Sequence, residues 1–266
     1  MLANVPEARP IAGGATLVAM INADLVRPAA LVSLDGIAEL SGISGTAAGG
    51  LRIGAMTRHR ETASDPRLAD SLRLVAEAAA VIANPVVRNM GTMGGSIAFS
   101  DPCADYPSAL VAARAEIEVA GPTGRRRVPA AEFFVDWYTT ALEEGEIVVA
   151  IHLPPAVAGV STYRKIARTA GDFAIAACAA VVEDGGAVRV AVGGCGPVPI
   201  ADPAAEAGLA GRLAEPGVVR AFAAGLAEMA DPMSDVRGSA AYRLRLIPRL
   251  VEATLGDLAG MREQAA

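Results

Sequence analysis

The segment from Asn84 to Pro107 constrains this chain more than any other. Its centre, Gly91-Thr92-Met93-Gly94-Gly95-Ser96, sets three glycines and two hydroxyls in six positions. Glycine admits positive φ and lets another group approach the backbone closely. Consecutive N–H groups turned toward one point form an anion nest, and the Thr92 and Ser96 hydroxyls can donate to the same anion. Taken alone, the segment suits either a tight structural turn or a phosphate cradle, because short glycine motifs match by chance. A second segment shifts the balance. Pro10-Ile11-Ala12-Gly13-Gly14-Ala15-Thr16-Leu17 also runs from an apolar stretch through two glycines and a hydroxyl into a helical pattern. A glycine turn feeding a helix start gathers free N–H groups at the positive end of the helix dipole. Two such segments suit a diphosphate held from both sides, so a dinucleotide is the expected ligand. Neither segment reads G-x-G-x-x-G, the Rossmann fingerprint, nor G-x-x-x-x-G-K-[ST], the P-loop.

Composition narrows the class. The 266 residues suffice for two domains, and 53% apolar against 20% charged residues mark a folded chain. The longest apolar run, Ala174 to Val182, is far too short to span a bilayer. No basic stretch followed by an apolar one opens the sequence, so no secretory signal is expected. A net charge of −6 with one basic cluster, Arg125-Arg126-Arg127, argues against nucleic acid as the main partner. Those arginines read as a solvated hairpin tip. Three cysteines, Cys103, Cys178 and Cys195, lack C-x-x-C spacing and build neither a zinc nor an iron–sulfur site, so no metal-ligating residue is predicted. So sparse a set fits a reducing cytoplasm. The two histidines, His59 and His152, leave little room for a histidine-based metal site or triad.

Along the chain, Thr16 to Ala23 reads as a brief helix and Ala30 to Leu34 as a strand, a small β-turn-α-β unit around the first glycine segment. Gly42 to Gly50 reads as an exposed hairpin, Leu51 to Ala55 as a strand, and Thr57 as a simple N-cap. Leu72, Val75, Ala79 and Ile82 recur at helical spacing, predicting a helix over Asp70 to Ala83 that Asn84-Pro85 stops. Pro107 to Ala113 reads as a helix, followed by a hairpin turning at Gly121-Pro122-Thr123-Gly124. Phe133, Phe134, Trp137 and Tyr138 read as core, and His152 as a strand residue facing out or hydrogen-bonded. Pro154 to Gly159 is the expected linker. Beyond it, strands at Ser161–Arg168, Phe173–Val182 and Val188–Val192 precede helices at Pro203–Ala210, Pro216–Ala230 and Ser239–Leu255. That pattern predicts an α+β unit, an antiparallel sheet with helices on one side. Gly193 to Pro197 meets prolines and no helix, so it reads as a strand-exit turn.

Ala12-Gly13-Gly14-Ala15-Thr16-Leu17-Val18, Ile53-Gly54-Ala55-Met56-Thr57-Arg58-His59, Val87-Arg88-Asn89 through Asp105, Phe133-Phe134 and Tyr163-Arg164-Lys165 together resemble the FAD-binding medium subunit of molybdenum hydroxylases. These are the xanthine dehydrogenase and aerobic carbon monoxide dehydrogenase relatives, and the similarity runs over nearly the whole chain. It implies an α+β fold: a two-part FAD-binding domain of the PCMH (vanillyl-alcohol oxidase-like) type over 1–156, with subdomains of about 1–48 and 49–156. A smaller α+β C-terminal domain with an antiparallel sheet and helices follows over 160–266. The family carries a strand and helix before the first glycine segment, most of which residues 1–10 are too few to supply.

The resemblance implies that FAD is held by Ala12, Gly13, Gly14, Ala15, Thr16, Gly91, Thr92, Gly94, Gly95 and Ser96. It adds apolar positions Ile82 and Val149, the carboxylate Asp105, and Lys165 near the flavin. Asp105 lies close enough to the second segment to accept hydrogen bonds from ribose or ribityl hydroxyls, or else it caps the following helix. A cation such as Lys165 tunes a flavin's potential, or else it is a surface strand lysine. Asp101 is expected to brace the segment. Ser96 and Ala15 stand where relatives often carry Asn and a polar residue, which predicts somewhat weaker binding. Neither glycine segment holds a histidine or cysteine, so the flavin is expected to be non-covalent, with Cys103 the sole candidate for a link.

The implied role is electron transfer within a cytoplasmic heterotrimer. A large subunit would carry molybdopterin, a small subunit 2Fe-2S clusters, and two such heterotrimers would pair. No residue of this chain is expected to act on the organic substrate, and the acceptor is left open among NAD, a quinone, a carrier protein and oxygen. Two other classes fit the residues: a self-sufficient flavin oxidoreductase, with Tyr106, Tyr138 or Ser100 as proton donor, and a non-enzymatic nucleotide-binding module. Relatives that reduce aromatic thioesters carry an iron–sulfur insertion with clustered cysteines, which this sequence lacks.

Overall fold

The structure, a computed structural model, describes Val5 and residues 7–265. Of residues 1–10, on which the sequence expectation of a shortened leading segment falls, 1–4 and 6 lie outside the described residues. Strand β1 (Ala8–Ile11) runs parallel to β2 (Ala30–Ser33), and helix α1 (Leu17–Asn22) crosses between them. This is the β-turn-α-β unit that the sequence predicts. A small cluster of Leu34, Leu40, Met56, Val149 and Ala150, with Ala12 packed against it, seats the unit on the next sheet.

That sheet begins with β3 (Ile43–Gly45) and β4 (Leu51–Gly54), a hairpin. Five helices follow: α2 (His59–Ser64), α3 (Arg73–Ala80), α4 (Pro85–Met90), α5 (Met93–Phe99) and α6 (Tyr106–Ala112). The chain re-enters the sheet as β5 (Glu116–Gly121) and β6 (Gly124–Pro129). A short helix α7 (Ala130–Phe133) and the ribbon β7 (Phe134–Asp136) and β8 (Thr139–Thr140) lead to β9 (Ile147–Leu153). The strand order is β3-β4-β9-β5-β6, all antiparallel. Strand β9 arrives last and takes the centre, so its run Ile147 to Leu153 is apolar at nearly every position. Strand β5 alternates instead, with Ile117 and Val119 fully buried and Glu116 exposed.

The C-terminal half is a three-stranded antiparallel sheet, β10 (Gly159–Ile166), β11 (Ala176–Glu183) and β12 (Val188–Gly193). Helices α8 (Pro203–Glu206), α9 (Pro216–Glu228) and α10 (Ala240–Ala265) complete it. Its helices α9 and α10 do cover one face, but the other face is not open. Ala177, Ala179 and Val181 point into the core built from the first half, whereas Ala176, Cys178, Ala180 and Val182 point into the core under α9 and α10. One strand therefore serves two cores, which explains why β11 is an unbroken apolar run and why so many of its residues are alanines: helices press on both sides.

Several local expectations change. The helix predicted over Asp70–Ala83 is α3 alone, preceded by a 3-10 turn at Asp70–Leu72. Ser161, from β10, accepts from Leu74 N at 3.1 Å and donates to Asp70 O at 2.6 Å, so the helix start is set from across the chain. At the other end, Ala83 takes a left-handed φ of +42°. Arg88 Nη1 holds the Ile82 and Ala83 carbonyls at 2.7 and 2.8 Å. Asn84 does not merely stop α3; its side chain caps α4 by accepting from Val87 N. Thr57 is not an N-cap. Its hydroxyl donates to Gly42 O, and Arg58 holds the cap position with its N–H on Glu61 at 2.8 Å. Phe133 and Phe134 are core, but Tyr138 is 56% exposed at a left-handed φ, so the aromatic cluster divides. Helix α10 runs ten residues past Leu255, to Ala265, and carries Pro248 in its interior.

Candidate functional site

The two glycine segments meet. A methyl on Gly13 would overlap the Met90 carbonyl and come within 2.9 Å of Gly91 Cα, so close contact between the segments requires glycine there. Around this junction opens a cleft of about 480 Å³, within the range of cofactor sites. Its walls come from the first segment, the start of α5, the turn after α3 at Ile82 and Ala83, and the Gly171–Phe173 turn. All the sequence-predicted binding residues except Val149 and Lys165 line it: Ala12, Gly13, Gly14, Ala15, Thr16, Ile82, Gly91, Thr92, Gly94, Gly95, Ser96 and Asp105. Val149 is buried behind Met56 and Leu34, both of which do line the cleft.

The segments work differently from the sequence expectation. Gly91-Thr92-Met93-Gly94-Gly95-Ser96 is not a nest. None of its glycines has positive φ, and Met93 to Phe99 is helix α5. Its first N–H groups are already satisfied inside the protein. Met93 N donates to Thr57 O at 3.0 Å, Gly94 N to Ala55 O at 2.8 Å, and Gly95 N to the Thr92 hydroxyl at 3.2 Å. The glycines serve close packing: a methyl on Gly94 would collide with Ala55, and one on Gly91 would sit 2.5 Å from His59 Nε2. The first segment is the reverse case. Gly14 is left-handed at φ +73°, and among the described residues the backbone N–H groups from Ala12 to Leu17 have no acceptor. Free donors beside a half-buried apolar wall are what an anionic ligand group needs.

Asp105 is 5% exposed and occupies the N-cap position of α6, yet its side chain makes no cap bond. It reaches across to β10 instead. Tyr163 Oη donates to Oδ1 at 2.7 Å, and Lys165 Nζ stands 2.9 Å from Oδ1 and 3.2 Å from Oδ2. Burial pushes the Asp105 carboxyl up, against the downward pull of Lys165 and Tyr163. Lys165 is neither a surface lysine nor a wall residue. Its side chain is largely covered, with a further bond to Val81 O at 3.0 Å, and among the described residues it reaches the cleft wall through Asp105. Asp101 braces the turn after α5 by accepting from Cys103 N at 2.8 Å. Cys103 does not line the cleft; its Sγ lies 3.8 Å from Arg243 Nη1.

Phe173 and His59 are among the wall residues that the sequence reading does not assign to the site. Phe173, placed in a strand by pattern, precedes β11 and is 39% exposed, with the Arg237 guanidinium 5.0 Å from its ring centre. His59 is 4% exposed, with Nδ1 3.0 Å from Tyr106 Oη. Burial, aided by the nearby Arg88 charge, pulls its pKa down from 6.5 to about 4, so the ring is neutral at pH 7. In the sequence it stands out only as one of two histidines and as the end of the Ile53–His59 segment that carries the resemblance, with no site role attached.

The cleft thus suits an elongated ligand with an anionic middle and an apolar part. The N–H run of the first segment fits a diphosphate, and the junction at Gly13 and Gly91 leaves space that any side chain would fill. The chain matches two family models: the FAD binding domain in molybdopterin dehydrogenase over residues 1–156, and the CO dehydrogenase flavoprotein C-terminal domain over 161–258. It is 35% identical to the carbon monoxide dehydrogenase medium chain of Hydrogenophaga pseudoflava, covering 94% of this chain and 88% of the relative. It is 30% identical to the xanthine dehydrogenase FAD-binding subunit of Escherichia coli O157:H7, covering 97% and 90%. Among solved structures, the Hydrogenophaga pseudoflava carbon monoxide dehydrogenase lacking the Mo-pyranopterin moiety superposes with a TM-score of 0.92 at 37% identity, over 97% of this chain and 92% of that one. Quinoline 2-oxidoreductase from Pseudomonas putida 86 gives 0.89 at 33% identity, over 97% and 92%. This chain belongs to the family of FAD-binding medium subunits of molybdenum hydroxylases.

Proposed function

We propose that this chain binds FAD non-covalently in the cleft and uses it to pass electrons from an iron–sulfur partner subunit to an external acceptor. The observation that carries the reading is the N–H run from Ala12 to Leu17, unpaired among the described residues and set where the two glycine segments touch. Ala12, Gly13, Gly14, Ala15 and Thr16 would hold the diphosphate. Ser96, whose hydroxyl has no partner among the described residues, adds a donor. Asp105 would accept from sugar or ribityl hydroxyls, with Lys165 and Tyr163 fixing its orientation. Ile82 would pack on the cofactor, and Val149 would support the wall behind Met56. When bound, FAD accepts electrons singly and releases them in pairs, so the chain's task is to hold and tune it.

The partners are a molybdopterin-bearing large subunit and an iron–sulfur small subunit, and the proposed assembly is a cytoplasmic dimer of heterotrimers. No helix among the described residues is long and apolar enough to cross a membrane. The proposed division of labour places FAD binding in 1–156 and the supporting C-terminal unit in 160–266, with the shared strand β11 joining their cores.

The test is a visible absorption spectrum of the purified chain, with the released cofactor identified by mass. FAD freed by denaturation, together with iron and molybdenum in the proteins that co-purify, is the expected result. A colourless chain that takes up no added FAD, alone or with its partners, would overturn the reading.

A further inference from the structure

His59 is a buried polar side chain that the reading so far leaves without a role. Its ring is 4% exposed, lines the cleft, and lies edge-on to Gly91, with Nε2 and Cδ2 where a Gly91 side chain would be. Nδ1 is occupied by Tyr106 Oη at 3.0 Å. Nε2 has no partner among the described residues. Nε2 is not sealed in the core but open on the cleft wall, so its hydrogen-bonding capacity is available to a ligand there. Gly91 in turn abuts Gly13, so this ring stands across Gly91 from the unpaired N–H groups of the first segment.

We propose that His59 is a positioning and binding residue for the cofactor's diphosphate: Tyr106 donates to Nδ1, which leaves the ring proton on Nε2, and that N–H donates to a phosphate oxygen. The proposal rests on FAD binding in this cleft. It also accounts for Gly91, whose missing side chain is the space the imidazole fills. A neutral donor suits the place. Arg88 already lies close enough to disfavour an imidazolium, and a neutral N–H binds an anion without the desolvation of a second buried charge. The Tyr106 hydroxyl is itself fully buried, so the pair is held rigidly and little ordering remains to be done on binding.

The experiment uses the full chain. FAD, ADP and riboflavin are titrated separately into the apoprotein of wild type, His59→Leu and His59→Gln. A hydrogen bond to a charged group predicts about a tenfold or greater loss of FAD and ADP affinity in His59→Leu, with most of it restored by the glutamine amide donor. Riboflavin, which has no phosphate, loses less than twofold. Unchanged ADP affinity in His59→Leu, or an equal loss for riboflavin, would overturn the assignment. Wild type that binds none of the three would instead overturn the FAD reading, and the two failures are distinguishable. Should the variants not fold, the two histidines of the chain make a ring-nitrogen NMR spectrum of wild type simple to read. The expected result is an Nε2–H tautomer whose signal moves on adding ADP. A ring protonated on Nδ1, or one that ADP leaves unmoved, would overturn it.

Discussion

The two glycine segments look like copies in the sequence and act as opposites in the fold. Ala12 to Leu17 leaves its N–H groups without an acceptor among the described residues and uses a left-handed Gly14 to turn. Gly91 to Ser96 ties its N–H groups to Ala55, Thr57 and Thr92 and uses its glycines to let other groups in. Glycine does both jobs, one through backbone freedom and the other through absent bulk, and residue type alone does not say which. The difference assigns the work: the first segment presents donors, and the second builds the floor on which they stand.

The largest expected effect breaks the floor. Gly94→Ala places a methyl against Ala55, whose backbone in the turn directly after β4 is tied to Val149 O and cannot swing away. Overpacking of this kind costs about 3 kcal/mol, and FAD binding falls with it because Gly13 rests on the same segment. Urea denaturation of wild type and variant measures the loss. A variant as stable as wild type would mean that the second segment is looser than its contacts indicate.

Acid sharpens the comparison from the side of His59, whose ring fills the space Gly91 leaves. The folded pKa, about 4, lies below the 6.5 of the free side chain. Between those values the unfolded chain binds the extra proton, so stability is full above about pH 6.5 and is lost as pH falls toward 4. The shift corresponds to roughly 3 kcal/mol at most. His59→Gln removes this contribution, so its stability declines less between pH 7 and 4.5 than that of wild type. Parallel curves would mean that the imidazole is solvated. Burial pushes Asp101 and Asp105 the other way, and those terms cancel in the difference between the two proteins.

The sequence makes the chemistry of the cleft legible and leaves much of its geometry hidden, for a physical reason. Glycines, the helix breaker Asn84-Pro85, and the alternation of β5 are local signals, and each marks a feature the fold contains. What the sequence misses is set by contacts between distant residues. Helix α3 begins at Arg73 because Ser161 stands over Leu74, and the chain turns at Ala83 because Arg88 grips its carbonyl. Asp105 ignores the helix it heads because Lys165, sixty residues on, is closer to a buried carboxylate's need. His59 becomes a wall residue only once Tyr106 and Gly91 come beside it. Strand β11 reads as a plain apolar run, and only the fold reveals that its alternate residues serve two cores.

The smallest expected effect tests the first segment on its own terms. Gly14→Ala meets little crowding: the added methyl would lie 3.2 Å from Val18 Cγ2, the end of a half-exposed side chain that can yield. Its penalty comes from φ, since +73° costs a residue with a Cβ about 1 kcal/mol. The chain can accept that cost or relax the turn. Relaxation would re-aim the N–H groups of Ala15 and Thr16 and weaken FAD binding by about tenfold, with little change in the urea midpoint. Acceptance would lower the midpoint and leave FAD affinity close to wild type. Measuring both quantities on the one variant separates donor presentation from packing. A Gly14→Ala protein that behaved like Gly94→Ala, losing stability and ligand together by the larger amount, would show that the first segment is also a floor and that the contrast between the two does not hold.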